Sequence, residues 1–388
     1  MLIHTVSEGE GIFSIAAKYA VPVTKLIEDN DITDGHTVTG EELLVLRPTK
    51  TKTIQGGDTV DGICRRYGIR KSALLASNPA LRGNERLRTG RVLTIKQDSP
   101  VLGAATAMGT AEWHTPVSFL TRILPYVTYL RINAAQISED KAIKLEYNPE
   151  RTVSLCHSEG KLPLLGISDK SGGAFLDTGE GFDQIINAMT DAARSLGCKG
   201  ICLSAKEAAE IYPDRFCEFI MQMRKKFIGC DLILFTDIFE GTPNEASELS
   251  DGGVLILPFV GKSELYRRLS DFSANAESSK VLVSLITEAN MGEARISLTE
   301  AKELCRKSGG RISRDEDSLI SYFDYTKYRG GVGERMRITL PSPTYTKAKL
   351  EMISELGFMG ISIGKDIVPA YALSMFNALF SRADYTLP

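Results

Sequence analysis

The sequence lacks the features that would assign the chain to a membrane or a nucleic-acid partner. Its 388 residues contain no run of about 18 apolar residues, so we expect no membrane-spanning helix. The formal net charge is −3, which gives no reason to expect nucleic acid or an anionic membrane surface as a partner. The chain begins Met1-Leu2-Ile3-His4, without a basic or apolar leader, so we also expect no signal peptide.

Histidine and cysteine are too few or too scattered to indicate a metal or Ser-His site. There are only four histidines, and Cys198 and Cys202 do not form a CxxC pair. The seven cysteines lie at positions 64, 156, 198, 202, 217, 230 and 305. We therefore expect free, mostly buried thiols in a reducing compartment, with no metal and no cofactor.

The first hundred residues contain an internal repeat with a spacing of 48 residues. The matching positions are Thr5/Thr53, Gly9/Gly57, Ile15/Ile63, Tyr19/Tyr67, Leu26/Leu74 and Asn30/Asn78. Self-similarity of this kind indicates two copies of one small module. Each copy has the pattern of a strand, a glycine turn, two helices, a loop and a second strand.

This repeat resembles the LysM module, a small βααβ fold. The second copy keeps the family's Gly57-Asp58-Thr59-Val60 turn, Tyr67-Gly68 and Asn78-Pro79, whereas the first copy has Gly9-Glu10-Gly11-Ile12. Both copies have Thr-Gly, at 39–40 and 89–90, where the family usually has Pro-Gly. The resemblance implies a first LysM module over residues 1–49 and a second over residues 50–97.

LysM modules bind glycans that contain N-acetylglucosamine, in a groove between the first turn and the loop after the second helix. The resemblance therefore implies peptidoglycan or N-acetylglucosamine oligomers as partners. The groove residues would be Glu10, Gly11, Ile12, Asn30, Asp31, Ile32, Asp58, Thr59, Val60, Asn78, Pro79 and Ala80. Backbone amides in tight loops can bond an acetamido group. The alternative is structural: the glycines serve turns, and Asn30 and Asn78 cap helices.

Beyond residue 97, apolar strands alternate with helices, which predicts a parallel α/β domain over residues 98–388. Eight strands and eight helices fit a (β/α)8 TIM barrel. The predicted strands begin near positions 101, 127, 162, 199, 231, 253, 280 and 360. The stretch over 288–340 is too long for one crossover, so it predicts an α+β insertion between strands seven and eight.

The order of these parts resembles the LysM-bearing members of glycoside hydrolase family 18. These are the spore germination and cortex-lytic N-acetylglucosaminidases of spore-forming Firmicutes. The resemblance covers residues 2–380, from the tandem repeat to the ending Gly357-Phe-Met-Gly-Ile-Ser. It implies synthesis in the mother-cell cytoplasm and deposition in the spore envelope, with spore coat or cortex proteins as further partners.

The catalytic motif of that family is not present. Its fourth barrel strand ends in a Glu that acts as the acid, with an Asp two residues earlier. The four polar motif positions fall here on Lys199, Cys202, Ser204 and Lys206. A protonated lysine is a poor proton donor at neutral pH. Glu207 is the fallback acid, but strand alternation predicts that it points away from the barrel axis.

The aromatic residues that hold sugars in family barrels are missing as well. The ends of strands six and eight read Leu257-Pro-Phe-Val260 and Gly360-Ile-Ser-Ile-Gly364, and the one tryptophan is Trp113, after strand one. A barrel mouth without aromatic platforms loses much of its grip on a pyranose ring.

Three hypotheses follow. The first is a non-catalytic, glycan-binding or structural protein of the spore envelope, with an inactive glycosidase-like barrel. The second is an active N-acetylglucosaminidase that cleaves cortex peptidoglycan or chitin-type oligomers with a relocated acid, Glu207 or Glu240. The third is a different barrel enzyme with Lys206 as a Schiff-base nucleophile. The acids near strand ends that could surround this lysine are Asp169, Asp237, Glu240 and Glu288.

Overall fold

Two small modules precede the barrel. The computed structural model describes residues 1–32, 35–81, 87–97, 101–177, 181–243, 245–292, 294–329, 332–364 and 368–382. Module one consists of β1 (Leu2–Thr5), α1 (Ile12–Tyr19), α2 (Val23–Asn30) and β2 (Glu42–Val45). Module two consists of β3 (Pro48–Thr53), α3 (Val60–Tyr67), α4 (Lys71–Ser77), a 3-10 turn (Pro79–Leu81) and β4 (Val92–Gln97). In each module the two strands pair antiparallel, and a separate apolar core lies beneath the helices.

Eight parallel strands close into a barrel. In order around the barrel they are β5 (Gly103–Ala111), β6 (Tyr129–Ile137), β8 (Leu162–Asp169), β9 (Gly200–Ser204), β10 (Ile233–Ile238), β11 (Gly252–Leu255), β12 (Val281–Leu285) and β18 (Gly360–Ile363). The ring closes where Gly360 of β18 pairs with Thr106 of β5. The short strand β7 (Ile143–Leu145) folds back antiparallel on β6. The strand β19 (Phe380–Arg382) pairs in parallel with the N-terminal end of β5.

Helices cover the outside of the barrel, as the 3.6-residue apolar periodicity predicts. They are α5 (Val117–Ile123), α6 (Glu150–Ser158), α7 (Asp183–Ser195), α8 (Lys206–Ile211), α9 (Pro213–Ile228), α10 (Glu245–Leu249), α11 (Lys262–Asn275), α13 (Pro343–Glu355) and α14 (Ala370–Leu379). The interior of the barrel is packed. Its lower layer contains Met108, Tyr129, Leu164, Cys202 and Phe235.

The insertion lies between β12 and β18, which are barrel strands seven and eight. It contains β13 (Glu288–Met291), β14 (Ala294–Ser297), α12 (Leu298–Lys307), β15 (Ser313–Arg314), β16 (Ser321–Arg329) and β17 (Val332–Leu340). The five strands form an antiparallel sheet in the order β14-β13-β17-β16-β15. A capping box at Ser297 begins α12, because its hydroxyl accepts from Glu300 N while the Glu300 carboxylate accepts from Ser297 N.

Module one is fastened to the barrel and the insertion by buried polar contacts. The Glu42 carboxylate, on β2, accepts hydrogen bonds from Arg314 of β15 and, at 2.9 Å, from the backbone N–H of Thr344. The backbone N–H of Ile312 donates to Thr39 O at 3.0 Å. These contacts involve backbone groups as well as side chains, so they fix the position of module one against the barrel and the insertion.

The predicted fold class is confirmed: two βααβ modules are followed by a closed barrel and an α+β insertion. All eight predicted barrel strands are present. The helix α8 and the strands β7, β13, β14 and β19 were not predicted, because segments of three to six residues are too short to establish a period.

Candidate functional sites in the barrel mouth and the modules

A buried ion pair crosses the interior of the barrel. Arg131 Nη1 donates to Asp237 Oδ1 at 2.7 Å and to Oδ2 at 2.9 Å, from β6 to β10. Burial opposes the charge of Arg131, but Asp237 outweighs it, so the pKa of the guanidinium is raised. Asn133 Oδ1 accepts from Arg131 Nε at 2.7 Å. The axis of the barrel is therefore occupied by a neutralised pair.

The strand-four positions named from the sequence do not form a cluster. Lys199 lies before β9, at the end of the strand opposite the barrel mouth. Cys202 is fully buried, and its Sγ lies 3.9 Å from Asp237 Oδ1. Burial raises the pKa of the Cys202 thiol to about 12. Ser204 is the last residue of the strand and is half-buried.

Lys206 and Glu207 lie on the first turn of α8, not on the strand. The strand ends at Ser204, so the alternation of side chains that we applied to Glu207 does not extend to it. Both side chains are exposed, and Lys206 Nζ lies 3.6 Å from Glu210 Oε1. The Glu207 carboxylate lies beside Gly172, since a Cβ built on that glycine would be 3.4 Å from Glu207 Oε2.

The other acids near strand ends have separate partners. Asp169 accepts from the backbone N–H groups of Ser171 and Gly173, both at 2.8 Å, and so holds the loop after barrel strand three. The Glu240 carboxylate is exposed and lies 3.0 Å from Arg268 Nη1 on α11. Glu288 is on β13 of the insertion. These acids are therefore not gathered around Lys206.

A cleft of about 450 Å³ opens beside barrel strands one and two. It is lined by Glu112, Trp113, Asn133, Glu146 and Tyr147. Burial first, and then the nearby carboxylates of Glu112 and Glu146, raise the pKa of Tyr147 to about 12. The sequence analysis did not combine these residues, which come from three separate segments. The available signals were Arg131 within an apolar strand and an isolated tryptophan after strand one.

The first turn of module one is held by a charged cluster. The Glu10 carboxylate accepts from Ser7 N at 2.8 Å and lies 2.9 Å from His4 Nε2. The Ser7 amide and His4 together lower the pKa of Glu10 to about 2. Gly11 is exposed, with no atom within 4 Å of a Cβ built on it, whereas Ile12 is buried in the module core.

The corresponding turn of module two has the same architecture with other residues. Asp58 accepts from Gln55 N at 2.8 Å and lies 2.9 Å from Lys52 Nζ, and both contacts lower its pKa. The Thr59 hydroxyl accepts from Gly62 N at 3.1 Å and so caps α3. Val60 is buried.

The two equivalent asparagines are used inside their modules. Asn30 Nδ2 donates to Leu26 O and Leu44 O, and its Oδ1 accepts from Leu44 N. The same three bonds join Asn78 to Leu74 O, Thr94 O and Thr94 N. Each amide thus ties the end of the second helix to the last strand, which is the structural role that we held as the alternative.

The loop of module one after α2 contacts the barrel. The Asp31 carboxylate lies 2.9 Å from Arg122 Nη2 on α5 and also accepts from the backbone N–H of Ala370. Ile32 is buried in the module core. In module two, Pro79 is half-buried in the 3-10 turn, and the side chain of Ala80 lies outside the described part of the chain.

Within the described ranges, no group of three or more His, Cys, Asp or Glu side chains is placed to hold a metal ion. Over the same ranges, no helix has the length and hydropathy that crossing a membrane would require.

The LysM domain model matches residues 4–45 and 53–96, so the prediction of two LysM modules is confirmed. A curated relative is YdhD of Bacillus subtilis (strain 168), which is named as a sporulation-specific glycosylase. It is 23% identical over 235 residues, which cover 58% of this chain and 55% of YdhD. The chain therefore spans about half the length of that relative.

Solved structures share the fold of the whole chain. The spore cortex-lytic enzyme SleL of Bacillus megaterium QM B1551 matches with a TM-score of 0.76 and 18% identity, over 99% of both chains. A chitinase from Chromobacterium violaceum ATCC 12472 matches with a TM-score of 0.65 and 13% identity, over 72% of this chain and all of that one. Two LysM modules thus precede a chitinase-like barrel, in the arrangement of SleL.

Proposed function

We propose that this protein binds glycans containing N-acetylglucosamine, such as peptidoglycan, through its LysM modules, and that its barrel does not cleave them. The observation that carries the proposal is the chemistry of the segment from Lys199 to Lys206, which contains barrel strand four. At the four polar motif positions of the resembling hydrolases, this chain has Lys199, Cys202, Ser204 and Lys206, none of which is a carboxylate. The relatives named for sporulation and spore cortex support a place in the spore envelope, where coat or cortex proteins would be additional partners.

The interior of the barrel supports the same proposal. The carboxylate of β10, Asp237, accepts two hydrogen bonds from the Arg131 guanidinium. Asp237 is 4% exposed. A carboxylate that is buried and paired in this way cannot readily approach a glycosidic oxygen and donate a proton to it.

The modules supply the binding surface in this proposal. Each presents an exposed first-turn residue, Gly11 or Thr59, next to charged side chains that are fixed by hydrogen bonds to the backbone. Asp31 contacts Arg122 of the barrel, so module one offers a more restricted groove than module two. We expect module two to contribute the larger share of the affinity.

Binding is tested with N-acetylglucosamine hexamer and purified cortex peptidoglycan. Gly11→Leu fills the first groove, and Thr59→Asp adds a charge to the second while keeping an N-cap acceptor. The double variant should lose binding to both glycans. Gly181→Leu is the matched control, because its added side chain also meets open space, far from either module in the sequence. A double variant with unchanged affinity would refute the assignment to the modules.

The second candidate function is hydrolysis with a relocated acid. It is favoured by the match to SleL over the whole chain and by the carboxylates Glu112 and Glu146 at the cleft. The deciding measurement is mass spectrometry of products after long incubation with cortex fragments and N-acetylglucosamine oligomers. If no reducing ends form under conditions in which a cortex-lytic enzyme cleaves fully, the barrel is inactive. If N-acetylglucosamine is released, Glu207→Gln, Glu240→Gln, Glu112→Gln and Glu146→Gln identify the acid.

A further inference from the structure

We propose that module two carries a basic strip that binds the anionic groups of a glycan, such as the free carboxylates of peptidoglycan strands. The strip consists of Lys50, Arg66 and Lys96, which lie outside the predicted LysM groove. The inference rests on the proposed function and deepens it, because it names the class of glycan that the modules select. That class is carboxylate-bearing strands, in preference to neutral N-acetylglucosamine oligomers.

The two modules are opposite in charge although they share one pattern. Residues 50–97 contain eleven Lys or Arg and three Asp or Glu, a formal net charge of +8. Residues 1–49 contain three Lys or Arg and eight Asp or Glu, a formal net charge of −5. The three acids of module two can offset only three of its eleven positive charges. A surface of this sign attracts anionic partners.

The acids of module one serve the docking of that module, so the two charges do not simply face each other. Three of its carboxylates pair with cations of the barrel and the insertion: Asp31 with Arg122, Glu41 with Lys302 and Glu42 with Arg314. Between the modules, Arg91 Nη2 lies 2.9 Å from Glu28 Oε1. The side chains of the basic strip, by contrast, are exposed to solvent.

Two lysines of the strip lie directly opposite each other in the sheet of module two. Lys50 of β3 pairs in register with Lys96 of β4. Directly opposed residues are neighbours on one face of a sheet, and like charges in these positions are destabilising. Lys50 Nζ also lies 4.9 Å from the centre of the Tyr67 ring, which places it at the end of α3. An anion bound between the two ammonium groups would offset their repulsion.

The first turn of module two, where the predicted groove begins, does not oppose an anionic ligand. Its acid, Asp58, lies 2.9 Å from Lys52 Nζ, and Arg66 also attracts this carboxylate electrostatically. Arg66 belongs to the last turn of α3, next to Tyr67. A glycan bound at the first turn would therefore have the basic strip beside it.

The equivalent strand of module one shows a different use of the same face. Counted from the Thr-Gly pair of each copy, Lys96 takes the place of Leu46. Leu46 is 2% exposed and packs into the apolar core of the barrel, whereas Lys96 is exposed. Module one thus docks through this face, while module two presents it to solvent with a positive charge.

The test compares three ligands of the full chain by calorimetry, at pH 7 and about physiological ionic strength. They are N-acetylglucosamine hexamer, soluble peptidoglycan strands, and the same strands after amidation of their carboxylates. We expect the native strands to bind more tightly than the amidated strands. Added salt should weaken the binding of the native strands and leave that of the hexamer unchanged, because salt screens exposed charges.

Lys96→Gln separates a binding role from a structural role. It removes the like-charge neighbour of Lys50 and keeps the contact between Lys50 and Tyr67, so the Tm without ligand should rise. Its affinity for native strands should fall by about two- to threefold, as loss of a solvent-exposed charge contact implies. The double variant Lys50→Gln with Lys96→Gln should lose about fivefold, and hexamer binding should stay unchanged in both.

The matched control is the double variant Lys225→Gln with Lys226→Gln. It removes two exposed positive charges from the last turn of α9, which lies in the barrel. Its affinity for native strands should equal that of the unmodified chain. The net charge of the whole protein changes by the same amount in both double variants, so only the position of the charges differs.

Four results would overturn the inference. They are equal affinity for native and amidated strands, unchanged affinity in the double variant of the strip, an equal loss in the α9 control, and tighter binding of a DNA duplex than of peptidoglycan strands at the same ionic strength. The last would identify a general polyanion surface. If the hexamer binds normally while any of these results is obtained, the strip fails and the LysM assignment stands. If neither the hexamer nor either kind of strand binds, the proposed function fails as well.

Discussion

Arg131 Nη1 lies 2.7 Å and 2.9 Å from the two carboxylate oxygens of Asp237, across the interior of the barrel. The pair joins barrel strands two and five, and Cys202 of strand four touches it. These two polar groups near the barrel axis are therefore paired with each other. The pair is therefore the first place to test whether the centre of the barrel is structural.

We expect Asp237→Leu to destabilise the fold strongly, because it leaves the Arg131 guanidinium buried without a counter-charge. Breaking a buried pair in this way costs about 3–5 kcal/mol of unfolding free energy. Replacing both partners, with Arg131→Met and Asp237→Leu together, should recover most of that loss. Urea unfolding of these two variants and of the native chain measures the loss and its recovery. Asp140→Asn, which removes the exposed pair with Lys144, is the control and should cost less than about 1 kcal/mol.

If the double variant is no more stable than Asp237→Leu alone, the pair itself contributes net stability rather than compensating an unpaired charge. Glycan binding by the modules should be unchanged in all folded variants, since Arg131 and Asp237 lie in the barrel.

Gly40 and Gly90 occupy equivalent turns of the two modules but have different neighbours. Both have positive φ, +82° and +87°. A Cβ added to Gly40 would lie 1.8 Å from the carbonyl oxygen of Ile312, whereas one added to Gly90 would meet no atom within 4 Å. Both substitutions to alanine carry a left-handed backbone cost of about 1–2 kcal/mol. Gly40→Ala should in addition separate module one from the insertion.

The measurement for this pair is hydrogen exchange together with thermal unfolding. In Gly40→Ala we expect faster exchange around Thr39 and Ile312, whose backbone groups are joined by a 3.0 Å hydrogen bond, and a lower Tm than in Gly90→Ala. Equal effects of the two substitutions would mean that the contact between module one and the insertion is not fixed in solution.

Arg314 contacts two glutamates in different surroundings, which gives an internal comparison. Glu42 is 6% exposed, while the side chain of Glu316 is 79% exposed. Glu42→Ala should cost about 1–3 kcal/mol, because the Thr344 amide loses its buried acceptor while Arg314 keeps only its contacts with Glu316 and the Thr344 hydroxyl. Glu316→Ala should cost less than about 1 kcal/mol. Chemical unfolding of the two variants gives both values, and similar losses would contradict a buried role for Glu42.

The sequence was sufficient to predict elements that repeat or show a period. The barrel strands were predicted because each is an apolar run between amphipathic helices, and the modules because Thr5-to-Tyr19 recurs at Thr53-to-Tyr67. Domain boundaries at 49 and 97 remain predictions. Glu207 was misplaced because a six-residue helix, α8, begins at Lys206, where we extended the strand.

The cleft and the docking of module one were beyond reach of the sequence for a different reason. Glu112, Asn133 and Glu146 lie on separate segments that only the closure of the barrel brings together. Asp31 and Glu42 resemble solvated charges in the sequence, and their partners lie 91 and 272 residues away. Local patterns carry no information about contacts at such separations.

Lys349 should make the stability of the fold depend on pH. It lies on α13 and is 1% exposed, and its Nζ donates to Ser284 O at 2.6 Å. Burial lowers the pKa of Lys349 from 10.5 to about 7. Between pH 7 and 10.5 the unfolded chain therefore binds a proton that the folded chain lacks, so the contribution of Lys349 to stability rises with pH by up to about 1.4 kcal/mol per pH unit.

We expect Lys349→Met to be more stable than the native chain at pH 7. Between pH 7 and 8.5 its stability should rise less than that of the native chain does. Thiols, whose ordinary pKa is about 8.5, begin to ionise in this window, but their contribution is common to both proteins and cancels in the comparison. Lys347→Met is the matched control, since Lys347 lies on the same helix with its side chain 39% exposed, and it should leave the slope unchanged. Unfolding free energies from urea titrations at the two pH values measure the slopes. If the slope survives in Lys349→Met, the ammonium group of Lys349 is solvated in the folded protein, and the pH dependence originates elsewhere.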